Sequence, residues 1–218
     1  MELIGQISEA QDQALQELWC QLAKPYGAAA AVDAAWKTLR KAYTARARHY
    51  HNLAHIQALL NWAERYQAQL VQYDAVRFAI WYHDVIYQTR KHDNEERSAA
   101  LAEQELPGLN VPAGMIPAVT QMIRATKTHQ ANELSADGRW FLDFDLSILG
   151  SAPDVYQAYS RAIRREYRWV PALLYRRGRR QVLEGFLQRE QLFFTEPMRQ
   201  ALETQARTNL CWELAQLA

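Results

Sequence analysis

Apolar residues recur at three- and four-residue spacing along almost the whole chain, which is the period of an amphipathic α-helix. Glycine and proline are scarce, at 8 and 7 of 218 residues, and no stretch alternates apolar and polar positions as a half-buried strand does. The pattern therefore predicts an all-α protein. It divides into helical stretches at about residues 8–22, 29–42, 52–66, 74–87, 93–106, 113–126, 139–149, 153–169, 171–189 and from 195 onward.

No linker, low-complexity segment or internal repeat separates these helices. A chain of 218 residues is long enough to bury a substantial core in one domain. The expected architecture is therefore a compact helical bundle formed by a single domain over residues 1–218.

Charge and cysteine content exclude several classes of protein. The formal net charge of +1 gives no global field for nucleic acid or for a membrane surface. Two isolated cysteines predict neither a disulfide framework nor a CxxC zinc site. The first residues lack the basic and apolar regions of a secretion signal, and no apolar run reaches the length of a spanning helix. We therefore expect a cytoplasmic protein without membrane or nucleic-acid partners.

The fourth helical stretch contains a His-Asp pair in an otherwise apolar run. His83 and Asp84 lie within the sequence FAIWYHDVIY. Burial of an ionised aspartate there costs several kcal/mol unless the carboxylate is paired, hydrogen-bonded or bound to a cation. The pair therefore indicates a candidate metal site.

Two further groups of ligand-type side chains follow the same logic. Asp143 and Asp145 lie in the apolar sequence WFLDFDLSIL, where Asp145 shares a helix face with the neighbouring leucines. His51 and His55 are four residues apart and lie on one face at the start of a helix. Mixed imidazole and carboxylate ligands suit a divalent ion such as Mn, Mg, Zn, Fe, Ni or Co. The alternatives are a capping role for His51 and arginine partners for the two aspartates.

Other residues are candidates for the surroundings of such a site. His129 and Lys127 follow a helix and could contact phosphate, although His129 could also be a solvated loop residue. Glu95 and Glu96 could form hydrogen bonds with a ligand histidine or orient a water molecule. Both are equally well explained as acidic residues in the first turn of a helix.

Residues 161–180 contain eight arginines and a single acid, Glu166. Guanidinium groups bind phosphate oxygens well, so Arg164, Arg165 and Arg179 are candidates for substrate binding. The alternative for most of these arginines is a solvated face with salt bridges.

The order of these groups resembles the HD superfamily of metal-dependent phosphohydrolases. The segments YHNLAHI, WYHDVIY, NEERSA, IRATKTH and LDFDLSILG are similar to an uncharacterised bacterial branch of predicted HD phosphohydrolases. The similarity extends over about residues 15–195. It implies an all-helical fold of HD type.

The resemblance also implies roles for single residues. His83 and Asp84 match the doublet that gives the superfamily its name, and Asp145 matches its final aspartate. The segment YHNLAHI also resembles a motif of cyclic-nucleotide phosphodiesterases, which implies that His55 is a metal ligand and His51 a general acid. The reverse assignment of the two histidines stays open.

Asp143 is the alternative to Asp145 as the last ligand and is otherwise expected to support the ligands by hydrogen bonds. Asp84 is expected to act in catalysis as well as in metal binding.

The activity implied is hydrolysis of a phosphate ester, by attack of metal-bound hydroxide on a nucleotide or another small phosphorylated metabolite. Two alternatives belong to other classes: an HD-type di-iron oxygenase, and a non-catalytic sensor that binds a nucleotide or a metal. The oligomeric state is left open, with a homodimer among the options.

Overall fold

The computed structural model describes residues 7–131 and 133–217, so part of the N-terminal segment and of the 129–138 loop lies outside the described residues. Within the described residues, the regular secondary structure is helical, and the all-α prediction is confirmed. The ten α-helices of the described residues are α1 (Glu9–Ala23), α2 (Ala29–Tyr43), α3 (Leu53–Arg65), α4 (Tyr73–Tyr82), α5 (Asn94–Glu105), α6 (Ile116–Ala125), α7 (Ala136–Leu146), α8 (Pro153–Glu166), α9 (Ala172–Leu187) and α10 (Glu196–Gln216).

The chain divides into two helical units, Met1–Leu142 and Asp143–Ala218. The boundary falls inside α7, which is one continuous helix. The single-domain organisation and the HD type of the fold stay predictions.

Aromatic side chains form the core of the first unit. The ring of Trp19 in α1 meets Phe78 and Trp81 of α4 edge to face, with centroids 6.1 and 5.8 Å apart. Trp36 of α2 packs against Trp81 in the same way, at 5.9 Å. Because seven of the ten residues of α4 are buried, this helix is the centre of the first unit.

The helix α4 is shorter than predicted, and this changes the surroundings of the His-Asp pair. It ends at Tyr82 instead of continuing to residue 87, and His83 is its C-terminal cap. The carbonyl oxygens of Asp84 and Val85 accept hydrogen bonds from Arg48, at 2.6 and 2.8 Å, instead of from a further helical turn. The pair therefore lies at the end of an apolar helix, and the prediction that it lies inside one is wrong.

A buried aspartate positions α7 against the beginning of α4. The carboxylate of Asp137 accepts hydrogen bonds from the backbone N–H groups of Val71 and Gln72, at 2.9 and 2.6 Å. These groups belong to Gln72, the N-terminal cap residue of α4, and to the residue before it. One turn along α7, the ring of Phe141 contacts the ring of His83 edge to face, with centroids 5.8 Å apart.

A buried ion pair links the helices of the second unit. Glu213 of α10, which is 2% exposed, accepts two hydrogen bonds from Arg179 of α9, at 2.8 and 2.9 Å. Tyr156 and Ser160 of α8 donate to the same carboxylate, at 2.6 and 2.9 Å. Burial raises the pKa of Glu213, but these donors outweigh it and hold that pKa below its usual value.

Gly150 allows a close approach between the turn that follows α7 and α10. A Cβ atom at this position would lie 2.6 Å from Cβ and 2.8 Å from the backbone oxygen of Leu202. Gly150 is the last residue of a short 3-10 turn, Ser147–Gly150, that follows the end of α7 at Leu146. The glycine is therefore needed for packing.

None of the helices in the described part of the chain combines the length and the apolar character needed to cross a bilayer. The cytoplasmic location stays a prediction.

Candidate metal centre

A backbone hydrogen bond fixes the ring of His83 in the interior of the first unit. Its Nδ1 lies 2.9 Å from the backbone oxygen of Ile80. Because a carbonyl only accepts hydrogen bonds, Nδ1 donates to it, and Nε2 is the ring nitrogen that faces other side chains. Metal-binding histidines are held in the same way, by a hydrogen bond from the nitrogen that does not bind the metal.

His55 and Asp84 both face Nε2 of His83. Nε2 of His55, in the first turn of α3, lies 3.2 Å from Nε2 of His83. Oδ2 of Asp84 lies 3.1 Å from Nε2 of His83 and 3.8 Å from Nε2 of His55. The two histidines are 3% and 1% exposed, and the side chain of Asp84 is 17% exposed. His55, His83 and Asp84 therefore form a His/Asp cluster of ligand-type side chains, of which Asp84 is the most exposed.

Three histidines favour the ionised form of Asp84. Burial raises the pKa of the carboxyl, but His83, His51 and His55 outweigh it, and the pKa of Asp84 lies below its usual value. A carboxylate in this environment is available as an anionic ligand.

His51 lies beside the cluster, in the turn before α3. Its ring stacks on Tyr87, with centroids 4.2 Å apart and an interplanar angle of 28°. It also meets Tyr50 edge to face, at 5.0 Å, and lies 5.9 Å from the ring of His55. The cap of α3 is the neighbouring Asn52, whose side chain accepts from the backbone N–H of Ala54. His51 therefore lies next to the cluster, and Asn52 takes the capping role that was the alternative for this histidine.

Arg48 connects the histidine segment to the His-Asp pair and was missed by the sequence analysis. Its guanidinium donates to the backbone oxygens of His51, Asp84 and Val85, at 3.2, 2.6 and 2.8 Å. It also lies over the ring of Tyr87, 5.5 Å from the centroid. Because all three acceptors are backbone atoms, no complementary acid in the sequence marks this arginine.

Two polar residues of α5 hold the loop that follows the His-Asp pair. The side chain of Asn94 accepts from the N–H of Gln88 and donates to its carbonyl, at 3.0 and 3.1 Å. The hydroxyl of Ser98 pairs with the N–H and the carbonyl of Ile86, at 3.1 and 3.3 Å. Their spacing of four residues on the buried face of α5 is the signal that could have identified them.

The acidic residues predicted in this region lie elsewhere. The carboxylate of Glu96 is 60% exposed and accepts hydrogen bonds from Arg124 of α6, at 2.9 and 2.8 Å. The prediction that Glu96 supports a ligand histidine is therefore corrected: its partner is this arginine. Glu95 lies half-buried in the first turn of α5, and its supporting role stays a prediction.

Asp143 has a structural role in the second unit. Its carboxylate accepts from the N–H groups of Phe194 and Thr195, both at 2.7 Å, and from the hydroxyl of Thr195 at 2.6 Å. Thr195 is the N-terminal cap residue of α10, so Asp143 stabilises the start of that helix. Burial raises the pKa of Asp143 to about 6 despite these hydrogen bonds. Its predicted roles as alternative ligand and as support for the ligands are therefore wrong, because protein donors already satisfy both oxygens.

Asp145 lies in the last turn of α7 and is half-buried. It follows Phe141 by four residues, so the two side chains lie on one face of this helix, one turn apart. Its role as a metal ligand stays a prediction.

The predicted substrate-binding arginines have different environments. Arg164 donates to the backbone oxygens of Tyr167 and Val170, at 2.7 and 3.1 Å, and Arg179 is engaged by Glu213. The guanidinium groups of these two arginines hold the second unit together. The prediction that they bind substrate is therefore corrected. Arg165 is exposed, and its role in substrate binding stays a prediction.

Lys127 and His129 follow α6 in the first unit. Lys127 is exposed, and His129 is half-buried with a left-handed backbone, at φ 47°. A positive φ is uncommon for histidine. The structure defines this conformation, and the contact of either residue with phosphate stays a prediction.

Comparisons with known proteins leave the resemblance untested, because no protein-family model, no curated protein and no solved structure matches this chain. The case for a function therefore rests on the geometry of the cluster.

Proposed function

We propose that this protein is a metal-dependent phosphohydrolase whose ion is held by His55, His83, Asp84 and Asp145. The observation that carries the proposal is the 3.2 Å separation of the two Nε2 atoms in a buried site, where Nδ1 of His83 donates to a carbonyl and Asp84 faces both rings. Two neighbouring ligands bound to one ion at about 2.0–2.1 Å are about 2.8–3.0 Å apart in octahedral geometry and about 3.3–3.4 Å apart in tetrahedral geometry. The His83–His55 and His83–Asp84 separations lie within the span of these two ranges.

The composition of the cluster suits a cation. The two imidazole nitrogens lie at hydrogen-bond distance in a buried site, and a proton on one ring or a cation between the two rings accounts for this close approach. The carboxylate of Asp84 adds negative charge next to these two nitrogens. A divalent ion neutralises the carboxylate and satisfies both lone pairs, so the donor set fits such an ion.

Asp145 is the fourth ligand in this proposal. This assignment is supported by the position of Asp145 in α7. It lies on the same helix face as Phe141, and the ring of Phe141 contacts the ring of His83. We do not assign this role to Asp143, because both of its oxygens accept hydrogen bonds from the backbone just before α10.

When bound, a divalent ion supplies Lewis acidity, which lowers the pKa of a coordinated water and withdraws charge from phosphoryl oxygens. The residues of the chain supply the remaining steps. Asp84, at the solvent side of the cluster, accepts a hydrogen bond from the attacking water and orients it. His51 donates a proton from a ring nitrogen to the oxygen of the leaving alcohol.

The surroundings of His51 suit this role. Stacking on Tyr87 restrains its ring, and its side chain is only half-buried, so it can exchange protons with solvent. We propose a nucleotide or another small phosphorylated metabolite as substrate. Lys127, His129 and Arg165 are the residues proposed to stabilise its negative charge.

The test is a hydrolysis screen with nucleotides, sugar phosphates and aryl phosphates, each with several added divalent ions. We expect activity in the wild type and a loss on the order of 10²-fold or more in His83→Ala and Asp84→Asn, because each removes an ion ligand. His92→Ala is the matched control, since His92 is an exposed histidine close in sequence and is expected to keep full activity.

Three outcomes would contradict the proposal. Full activity in Asp84→Asn would place the chemistry elsewhere. Tight binding of a nucleotide without turnover in the whole screen would favour a sensor. Oxygen consumption by an iron-loaded protein would favour an oxygenase.

A further inference from the structure

An apolar segment is exposed at the junction of α8 and α9. Residues 169–174 read Trp-Val-Pro-Ala-Leu-Leu and contain no polar side chain. Trp169, Leu173 and Leu174 are 44%, 78% and 59% exposed. Exposed large apolar side chains in one short segment are unusual in a protein surface and indicate an interaction site.

Arginines flank this segment on both sides. Arg165 and Arg168 precede it, Arg176 and Arg177 follow it, and all four are exposed. Within residues 165–177, all of which the structure describes, the single acid is Glu166, which is buried. We call residues 165–177 the arginine–leucine ridge. It combines an exposed apolar centre with a positively charged border.

The turn at the centre of the ridge is held in shape by Arg164. Its guanidinium donates to the backbone oxygens of Tyr167 and Val170, at 2.7 and 3.1 Å. It also lies over the ring of Tyr175, 4.5 Å from the centroid. Trp169 lies between the two carbonyls, so this clamp fixes the part of the backbone that presents its side chain.

We propose that the arginine–leucine ridge docks on the surface of a membrane that contains anionic phospholipids. The leucines of the first turn of α9 enter the acyl boundary, and Trp169 lies at the level of the headgroups. The four arginines bind lipid phosphates. The proposed contact is peripheral, because a ridge of this length would lie on the bilayer surface. It does not depend on the proposed hydrolase activity.

Charge and apolar exposure together favour this partner over two others. A second copy of the chain would bring the arginine borders of two ridges together, which is repulsive. Nucleic acid would match the arginines but would leave Leu173 and Leu174 in contact with water. An anionic bilayer satisfies both the charge and the apolar side chains.

The test is co-sedimentation of the full chain with vesicles of phosphatidylcholine alone and of phosphatidylcholine mixed with phosphatidylglycerol. We expect binding to the mixed vesicles that weakens with added salt, and at least about tenfold weaker binding to phosphatidylcholine alone. The variant L173S/L174S and the variant R176Q/R177Q should each bind the mixed vesicles roughly tenfold more weakly than the wild type.

Matched controls separate the ridge from general surface properties. Val71→Ser removes an apolar side chain that is 83% exposed elsewhere, and Arg46→Gln removes an exposed arginine outside the ridge; both should bind like the wild type. Melting temperatures of all variants report whether they fold.

Wild-type protein that stays in the supernatant with both vesicle types would overturn the proposal. Folded L173S/L174S that binds vesicles as well as the wild type would also overturn it. Salt-sensitive binding of duplex DNA that exceeds binding to the mixed vesicles, and that L173S/L174S retains, would assign the ridge to nucleic acid instead.

Discussion

At the scale of single residues, acids in apolar sequence have different partners in this protein. Asp137 and Asp143 are satisfied by backbone N–H groups at the starts of helices, and Glu213 is satisfied by an arginine. Asp84 differs because the groups that favour its ionised form are histidines. An apolar sequence context therefore predicts that an acid has a compensating partner, but the kind of partner depends on contacts that are remote in sequence.

The residue Arg48 allows a test of how the cluster is positioned. Arg48→Met removes the donors to the carbonyl oxygens of Asp84, Val85 and His51 while keeping a long apolar stem. We expect metal affinity to fall about 10–100-fold, because residues that orient ligands contribute about this much. Isothermal titration with Mn²⁺ or Zn²⁺ measures the change.

Arg46→Met is the control for this experiment, since Arg46 is an exposed arginine two residues away and its loss should leave metal affinity unchanged. Equal affinities of Arg48→Met and the wild type would show that the His-Asp turn keeps its shape without the guanidinium.

At the scale of helices, the apolar period predicts which helices exist but not where each one ends. All ten predicted helical stretches contain an α-helix, because the spacing of buried residues is a property of each stretch alone. The predicted end of α4 is wrong: past Tyr82, the carbonyl oxygens of Asp84 and Val85 bind Arg48, which lies more than thirty positions earlier in the chain and is not part of the local pattern. The exposed apolar start of α9 was not predicted either, since the sequence does not indicate which apolar residues stay outside the core.

The buried ion pair between Glu213 and Arg179 predicts how the free energy of unfolding depends on pH. Because the pKa of Glu213 is lower in the folded protein than its usual value, its ionised form adds stability at neutral pH. This contribution is present above the unfolded pKa and is lost as the pH falls through the folded pKa. We expect Glu213→Gln to lower the free energy of unfolding by about 3–5 kcal/mol at neutral pH, since it leaves Arg179 buried without its partner.

Chemical denaturation of wild type and Glu213→Gln at a series of pH values measures this difference. It should shrink at acidic pH, below the usual pKa of glutamate. The double variant R179M/E213L should be much closer to the wild type, because it buries no unpaired charge. A difference that does not change with pH would show that the ion pair is not its origin.

At the scale of the whole molecule, the sequence predicted the helical class and the central members of the cluster. The ring nitrogens of His55 and His83 and the carboxylate of Asp84 lie within 3.8 Å of one another, and their sharing of an ion stays a prediction. The assignments of Asp143, Glu96 and Arg164 were wrong, because each is engaged by a partner that residue type and spacing do not reveal. Chemistry that depends on local spacing could be predicted, and chemistry that depends on distant partners could not.

The central claim is that His55, His83 and Asp84 share a divalent cation, and metal content coupled to stability tests it most directly. A metal at about 100 times its Kd adds about 2.7 kcal/mol to the folded state. For a chain of this length, that corresponds to a melting temperature about 5–10 °C higher. His83→Ala and His92→Ala form the matched pair of variants, one within the cluster and one outside it.

The measurement is elemental analysis of the purified protein, followed by thermal melting before and after treatment with a chelator. We expect bound divalent metal in the wild type and in His92→Ala, a melting temperature that falls with chelator and recovers when metal is added back, and neither effect in His83→Ala. Wild-type protein that contains no metal, takes none up when Mn²⁺, Zn²⁺ or Fe²⁺ is added, and melts at the same temperature with and without chelator would contradict the account.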